Sequence, residues 1–146
     1  MTKKILHRSR RALDDCKAAL NKFTENPSDI EFRLTLVTCI SLLRLIGHVI
    51  ESESSELGLS DLNIELWKQE KGSIIFTQFI NSYRNNILKE YRSPVGWSSI
   101  TSENGHRMEY RVLDGFFEGR DVRDLIQEVI DWWELYLTKL EVKSHS

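Results

Sequence analysis

Apolar residues recur along this chain at three- and four-residue intervals over several long stretches, and alternate over one short stretch. Leu13, Cys16, Leu20 and Phe23 predict a first helix from about Lys4 to Phe23, which Asn26-Pro27 ends. Ser28 and Glu31 then have the spacing of a capping box, in which a hydroxyl and a carboxylate satisfy free amides at a helix start. The second helix runs to about Ser52. Its main stripe is Phe32, Leu36, Ile40, Leu43, Gly47 and Ile50, but Leu34, Leu42, Leu45 and Val49 make the opposite side apolar too. A helix apolar nearly all round is central in a bundle or is covered by a second subunit.

ESESSELGLSD reads as a polar connection. Ser60 or Asp61 can cap a short helix carrying Leu62, Leu66 and Trp67, which breaks near Gly72. A further helix is predicted from Ser73 to Tyr91. At ~100° per residue, Phe76, Ile80, Ile87, Leu88 and Tyr91 surround Arg84, with Tyr91 almost directly beneath it. Ser93-Pro94 ends this helix. The segment 95–119 differs in kind, being glycine-rich, with Asn104-Gly105 as a turn signal and Met108, Tyr110 and Val112 alternating. A two-residue turn there sets Ile100 opposite Glu109, out of phase with Met108, so a hairpin and a longer loop both stand. Asp121 caps the last helix, whose stripe is Val122, Leu125, Ile126, Val129, Trp133, Tyr136, Leu137 and Leu140. The expected fold is all-α: a four- to five-helix antiparallel bundle with a loop or β-hairpin inserted before the last helix, in one domain spanning 1–146.

Composition changes this picture little. With 40% hydrophobic and 29% charged residues, net charge −2 and a pI near 6.1, the 146-residue chain has no global signature of nucleic-acid binding. Lys3, Lys4, Arg8, Arg10 and Arg11 cluster near the start, and Glu51, Glu53, Glu56 and Asp61 cluster later; both groups read as solvated. Cys16 and Cys39 read as small core residues, with no disulfide framework or metal site, which fits a reducing cytoplasm. Arg44, His48 and several hydroxyls interrupt the stretch Leu34 to Ile50, which reads as a core helix and not as a membrane span.

The familiar chemical motifs are absent: no phosphate-cradling glycine loop, nucleophile elbow, paired His/Cys spacing or dinucleotide fingerprint. Asp131-Trp132-Trp133 reads as packing, because Trp133 lies on the core stripe. The anomaly is Arg84. A guanidinium cannot shed its charge, so an apolar stripe holds one only where it is paired or faces a wet cleft.

The segment Arg84-Asn85-Asn86-Ile87-Leu88-Lys89-Glu90-Tyr91 resembles the motif of the HEPN superfamily, all-α bundles of four or five helices. Many of these are metal-independent RNases of toxin–antitoxin and phage-defence systems. One bacterial toxin branch carries R-x4-H-x-Y. Arg84 matches its arginine, Asn85 the polar residue that often follows, and Tyr91 its tyrosine, whereas Lys89 stands in the histidine position. RNNILKEY also resembles a segment shared by a family of bacterial proteins.

The resemblance implies an RNA or nucleotide ligand, a homodimer with motif helices together, an antitoxin-type protein partner, and no metal or other cofactor. It places Arg84 and Tyr91 in catalysis and Asn85 and Lys89 at the substrate. The lysine departs from the pattern, since an amine with an ordinary pKa near ~10.4 is a poor general base at neutral pH. Arg44 and His48, at i and i+4, share one face of the second helix. Arg44 is a candidate phosphate contact, and His48 a candidate base standing in for the missing histidine. Two readings of Arg84 therefore stand: a phosphate ligand in a binding or catalytic cleft, or a buried ion-pair residue in a catalytically inactive structural or interaction dimer.

Overall fold

The computed structural model describes residues 4–23, 28–89, 95–103, 105–113 and 115–145. The fold is an all-α bundle carrying one inserted antiparallel hairpin. Its elements are α1 (His7–Asn21), α2 (Asp29–Glu56), α3 (Ser60–Glu70), a composite helix, β1 (Val95–Ser102), β2 (Gly105–Val112) and α5 (Val122–His145). The composite helix joins two π-helical segments, Ile75–Ile80 and Arg84–Lys89, through a short α4 (Asn81–Tyr83).

The Ser28 hydroxyl accepts from the Glu31 amide at 3.2 Å, so α2 begins as its capping signal predicts. It ends later than predicted, because ESESSE continues the helix. The reason is tertiary. Helix α1 has no side-chain cap of its own, and its first amides are satisfied from elsewhere in the bundle. The Glu53 carboxylate on α2 accepts from the Arg8 and Ser9 amides and the Ser9 hydroxyl, each at 2.8 Å. Glu141 on α5 accepts from the Leu6 amide at 2.9 Å and from the Arg10 guanidinium. Both glutamates are buried. The basic and acidic clusters, expected to be solvated independently, thus meet, with Arg8 also pairing with Glu56 at 3.1 Å.

The core is a single apolar cluster drawn from all the helices and from β2. Cys16 and Cys39 are buried free thiols between α1 and α2. Trp67, Phe76, Trp132, Trp133 and Tyr136 form an aromatic group at the junction of α3, the composite helix and α5. Trp133 is buried as its stripe position requires.

The hairpin closes one residue earlier than Asn104-Gly105 would place it. Ser102 pairs with Gly105, so Ile100 faces Arg107 and Trp97 faces Tyr110. Gly105 takes φ +116° and starts β2, a left-handed conformation that glycine adopts without a Cβ penalty. Tyr110 stacks on Phe32 at 4.2 Å between ring centroids, which docks the hairpin on the first turns of α2.

By length and composition α2 also passes as a membrane-crossing helix, with mean hydropathy 1.6 over its most apolar window. In the bundle, nine of its residues are buried, Glu53 among them.

Burial alone would raise the Glu53 pKa, but the Arg8 and Ser9 amides and the Ser9 hydroxyl outweigh it and hold the carboxylate below its usual range. A depressed carboxylate stabilises the fold above the unfolded-state value of about 4.3 and loses that contribution as pH falls through the folded-state value. Glu53→Gln is therefore expected to lower stability by about 2 kcal/mol at pH 7. The gap from wild type should narrow as pH falls below about 4, which chemical denaturation at several pH values measures.

Candidate functional site

A cleft of about 470 Å³ opens between α2, α3 and α5, with Phe76 of the composite helix in its wall. Its cationic wall is Arg44 and His48 from α2 with Lys68 and Lys71 from α3, against a single carboxylate, Glu51. Its apolar wall is Trp67, Phe76 and Trp133. The close approach of α5 to α2 depends on Gly47. A Cβ there would stand 3.4 Å from the Trp133 ring, and the Trp133 indole N–H donates to the Leu43 carbonyl one turn earlier at 3.0 Å. Glycine thus leaves a notch that lets the indole reach backbone, and Arg44 follows the residue that accepts that bond.

Arg44 is half-buried, and its Nε is buried with no hydrogen-bond partner. Its guanidinium lies 6.0 Å from the centre of the Phe76 ring, a cation–π contact. Desolvation and then the positive charge of Arg84 lower its pKa from the ordinary value, while leaving it far above neutrality. The structure thus brings Arg44 and Arg84 into each other's field. Among the described residues neither guanidinium has an ion-pair or hydrogen-bond partner.

Arg84 stands elsewhere on its helix than the α-helical phase predicts. Phe76, Phe79, Ile80 and Tyr83 are buried, so the inward face runs through Phe79 and Tyr83, and half-buried Arg84 is at its rim. The helix also widens. The Asn81 amide donates to the Phe76 carbonyl, five residues back, and Arg84–Lys89 is again π-helical. In this geometry residue i+5 lies below residue i, so the alignment of Tyr91 under Arg84, which assumed α-helical rotation, does not follow. Runs of π-helix are rare and occur frequently at functional sites.

The other predicted residues divide. His48 is exposed on the same cleft wall as Arg44, and Asn85 is exposed beside Arg84. The Lys89 side chain and all of Tyr91 lie outside the described residues. Lys68 and Lys71 escaped the sequence reading because lysines on the polar face of a short helix carry no signal until the fold sets them across from Arg44. Among the described residues no group of His, Cys, Asp or Glu is placed to hold a metal ion. The cations suit a phosphate, and half-buried Trp67 beside them suits a flat apolar group. The chain matches no protein-family model, no curated protein and no solved structure.

A desolvated cation without a counterion opposes folding. Arg44→Met is expected to raise stability by about 1 kcal/mol, because it removes a buried unpaired nitrogen and the repulsion from Arg84. Thermal or urea denaturation tests this; a loss of comparable size would mean that the native guanidinium has a stabilising anionic partner.

Proposed function

We propose that this bundle is an HEPN-like protein that binds RNA or a nucleotide through its phosphate groups, with Arg44 and Arg84 as the anion site. One observation carries the reading: two guanidinium groups from different helices sit in each other's field, with no anionic partner among the described residues. Such a pair is strained in the free protein and is relieved by a polyanion, which arginine grips bidentately. A purely structural Arg84 would call for a carboxylate beside it, and that support is missing among the described residues. The exposed Asn85 and the cations Lys68, Lys71 and His48 extend the positive surface for a chain of phosphates.

Binding has more support than cleavage. Lys89 occupies the position where the resembled RNases have a histidine, and exposed His48 is the candidate base beside Arg44. As an enzyme this would be a metal-independent endoribonuclease: His48 would take the ribose 2′-hydroxyl proton, Arg84 would steady the phosphate charge, and Tyr91 would assist. The free buried thiols fit a cytoplasmic setting, and the resemblance adds an antitoxin-type partner.

Fluorescence polarisation with a labelled single-stranded RNA tests the binding. Arg84→Ala and Arg44→Ala are each expected to weaken it by roughly tenfold and to reduce the slope of log K against log salt by about 1. Incubation with total RNA in EDTA, comparing wild type, Arg84→Ala and Lys89→His, tests cleavage; Lys89→His is expected to create or raise it. Wild type and Arg84→Ala behaving alike in both assays would end the RNA reading.

A further inference from the structure

The outward side of α2 presents a second feature, which does not depend on the RNA reading. Ile30, Leu34 and Leu45 are 60%, 61% and 47% exposed, and Val37, Leu42 and Val49 are only half-buried. Single apolar residues on a surface are ordinary. These are ordered. Ile30 and Val49 are equidistant from the point between Cys39 and Ile40, and so are Leu34 and Leu45, Val37 and Leu42, and Thr38 and Ser41.

A helix with that symmetry is complementary to itself when a second copy lies antiparallel across it. Position for position, Ile30 then meets Val49, Leu34 meets Leu45, Val37 meets Leu42, and Thr38 meets Ser41. At the outer edge exposed Glu31 comes opposite exposed His48, so the polar residues of the face also find unlike partners. The sizes agree as well. Thr38 and Ser41, the smallest side chains of the face, fall at the centre, where crossing helices approach most closely, and the branched apolar residues fall where they diverge.

We infer that α2 pairs with α2 of a second copy of this chain, antiparallel, about a two-fold axis between Cys39 and Ile40. The interface is isologous, so each substitution on it acts twice. The stripe from Ile30 to Val49 runs about 30 Å along the helix. One helix pair is small against the ~800 Å² per partner of a standard interface, so the dimer dissociates measurably on dilution.

Sedimentation velocity on the full chain over a wide concentration range tests this. Wild type should show a concentration-dependent monomer–dimer equilibrium. Leu34→Glu and Leu45→Lys should each weaken it by about a hundredfold, since each loses two apolar contacts. Both positions are exposed, so circular dichroism and melting temperature should change little.

The register makes a sharper demand. The double variant Leu34→Glu/Leu45→Lys sets glutamate against lysine at both contacts and should recover at least tenfold over either single variant. A mixture of the two single variants should likewise form a heterodimer. A monomeric wild type at every concentration, or a dimer indifferent to both single changes, would overturn the proposal. Disruption by the singles without recovery in the double or the mixture would overturn the register. A monomeric wild type that floats with phosphatidylcholine–phosphatidylserine vesicles, but not as Leu34→Glu, would assign the face to a membrane and overturn the dimer. Arg44 and Arg84 are intact in these variants, so association and RNA binding succeed or fail separately.

Discussion

Two buried carboxylates hold the bundle together at one point. Helix α1 begins at a leucine, with no side chain of its own to satisfy its first amides, and Glu53 from α2 and Glu141 from α5 reach in to do so. A buried carboxylate is tolerated only when donors surround it, and buried amides only when acceptors do. Each therefore fixes the other. The arrangement sets the register of three helices at once, because sliding α1 by one turn would leave both glutamates charged and unpaired. The Lys4 amine donating to the Leu57 carbonyl and Arg8 pairing with Glu56 extend the same seam toward the surface. Their exposed charges add less, since solvent competes for them.

With α1, α2 and α5 fixed, the remaining core follows from shape. Trp133 needs a backbone notch to bring its N–H to the Leu43 carbonyl, and Gly47 supplies it. The indole then fills the space where α2 meets α5, Trp67 stacks parallel to it, and Phe76 closes against their edges. The cleft is what is left beside this group, where α3 and α2 present their lysines and their arginine. Its position is thus a consequence of where one tryptophan packs.

The hydrophobic pattern carried most of this fold. Helical spacing named the main helices, Ser28 and Glu31 placed the start of α2, and Trp133 read correctly as core. What failed shares one cause: contacts made across the chain. ESESSE looks like a connection because its serines and glutamates have no local reason to be buried, and only the amides of α1 give Glu53 one. Asn104-Gly105 is a strong local turn signal, yet packing Tyr110 on Phe32 shifts the hairpin by a residue. The widening of the composite helix has no sequence signature that we recognise, so rotation at the α-helical angle misplaced the face around Arg84. Arg84 itself was legible as an anomaly because a charge that cannot be neutralised stands out against isoleucine and phenylalanine. Its proximity to Arg44 was not, since the two residues lie on helices whose relative rotation no periodicity gives.

Arg44 is the point where packing and function disagree most plainly. It follows Leu43, the acceptor for Trp133, and precedes exposed Leu45, so it lies at the edge between the buried face of α2 and its outward face. A methionine would fill the same space against Phe76 without burying an unpaired nitrogen or facing Arg84. A fold selected for stability alone gains nothing from a second guanidinium there. The same helix turns its third side outward as an apolar stripe with small residues at its centre, and His48 borders both that stripe and the cleft. In the antiparallel pair, Glu31 of the second copy would approach that border and set a carboxylate beside the cationic wall. Association through α2 would then tune the charge at the cleft mouth, coupling the two surfaces through one histidine.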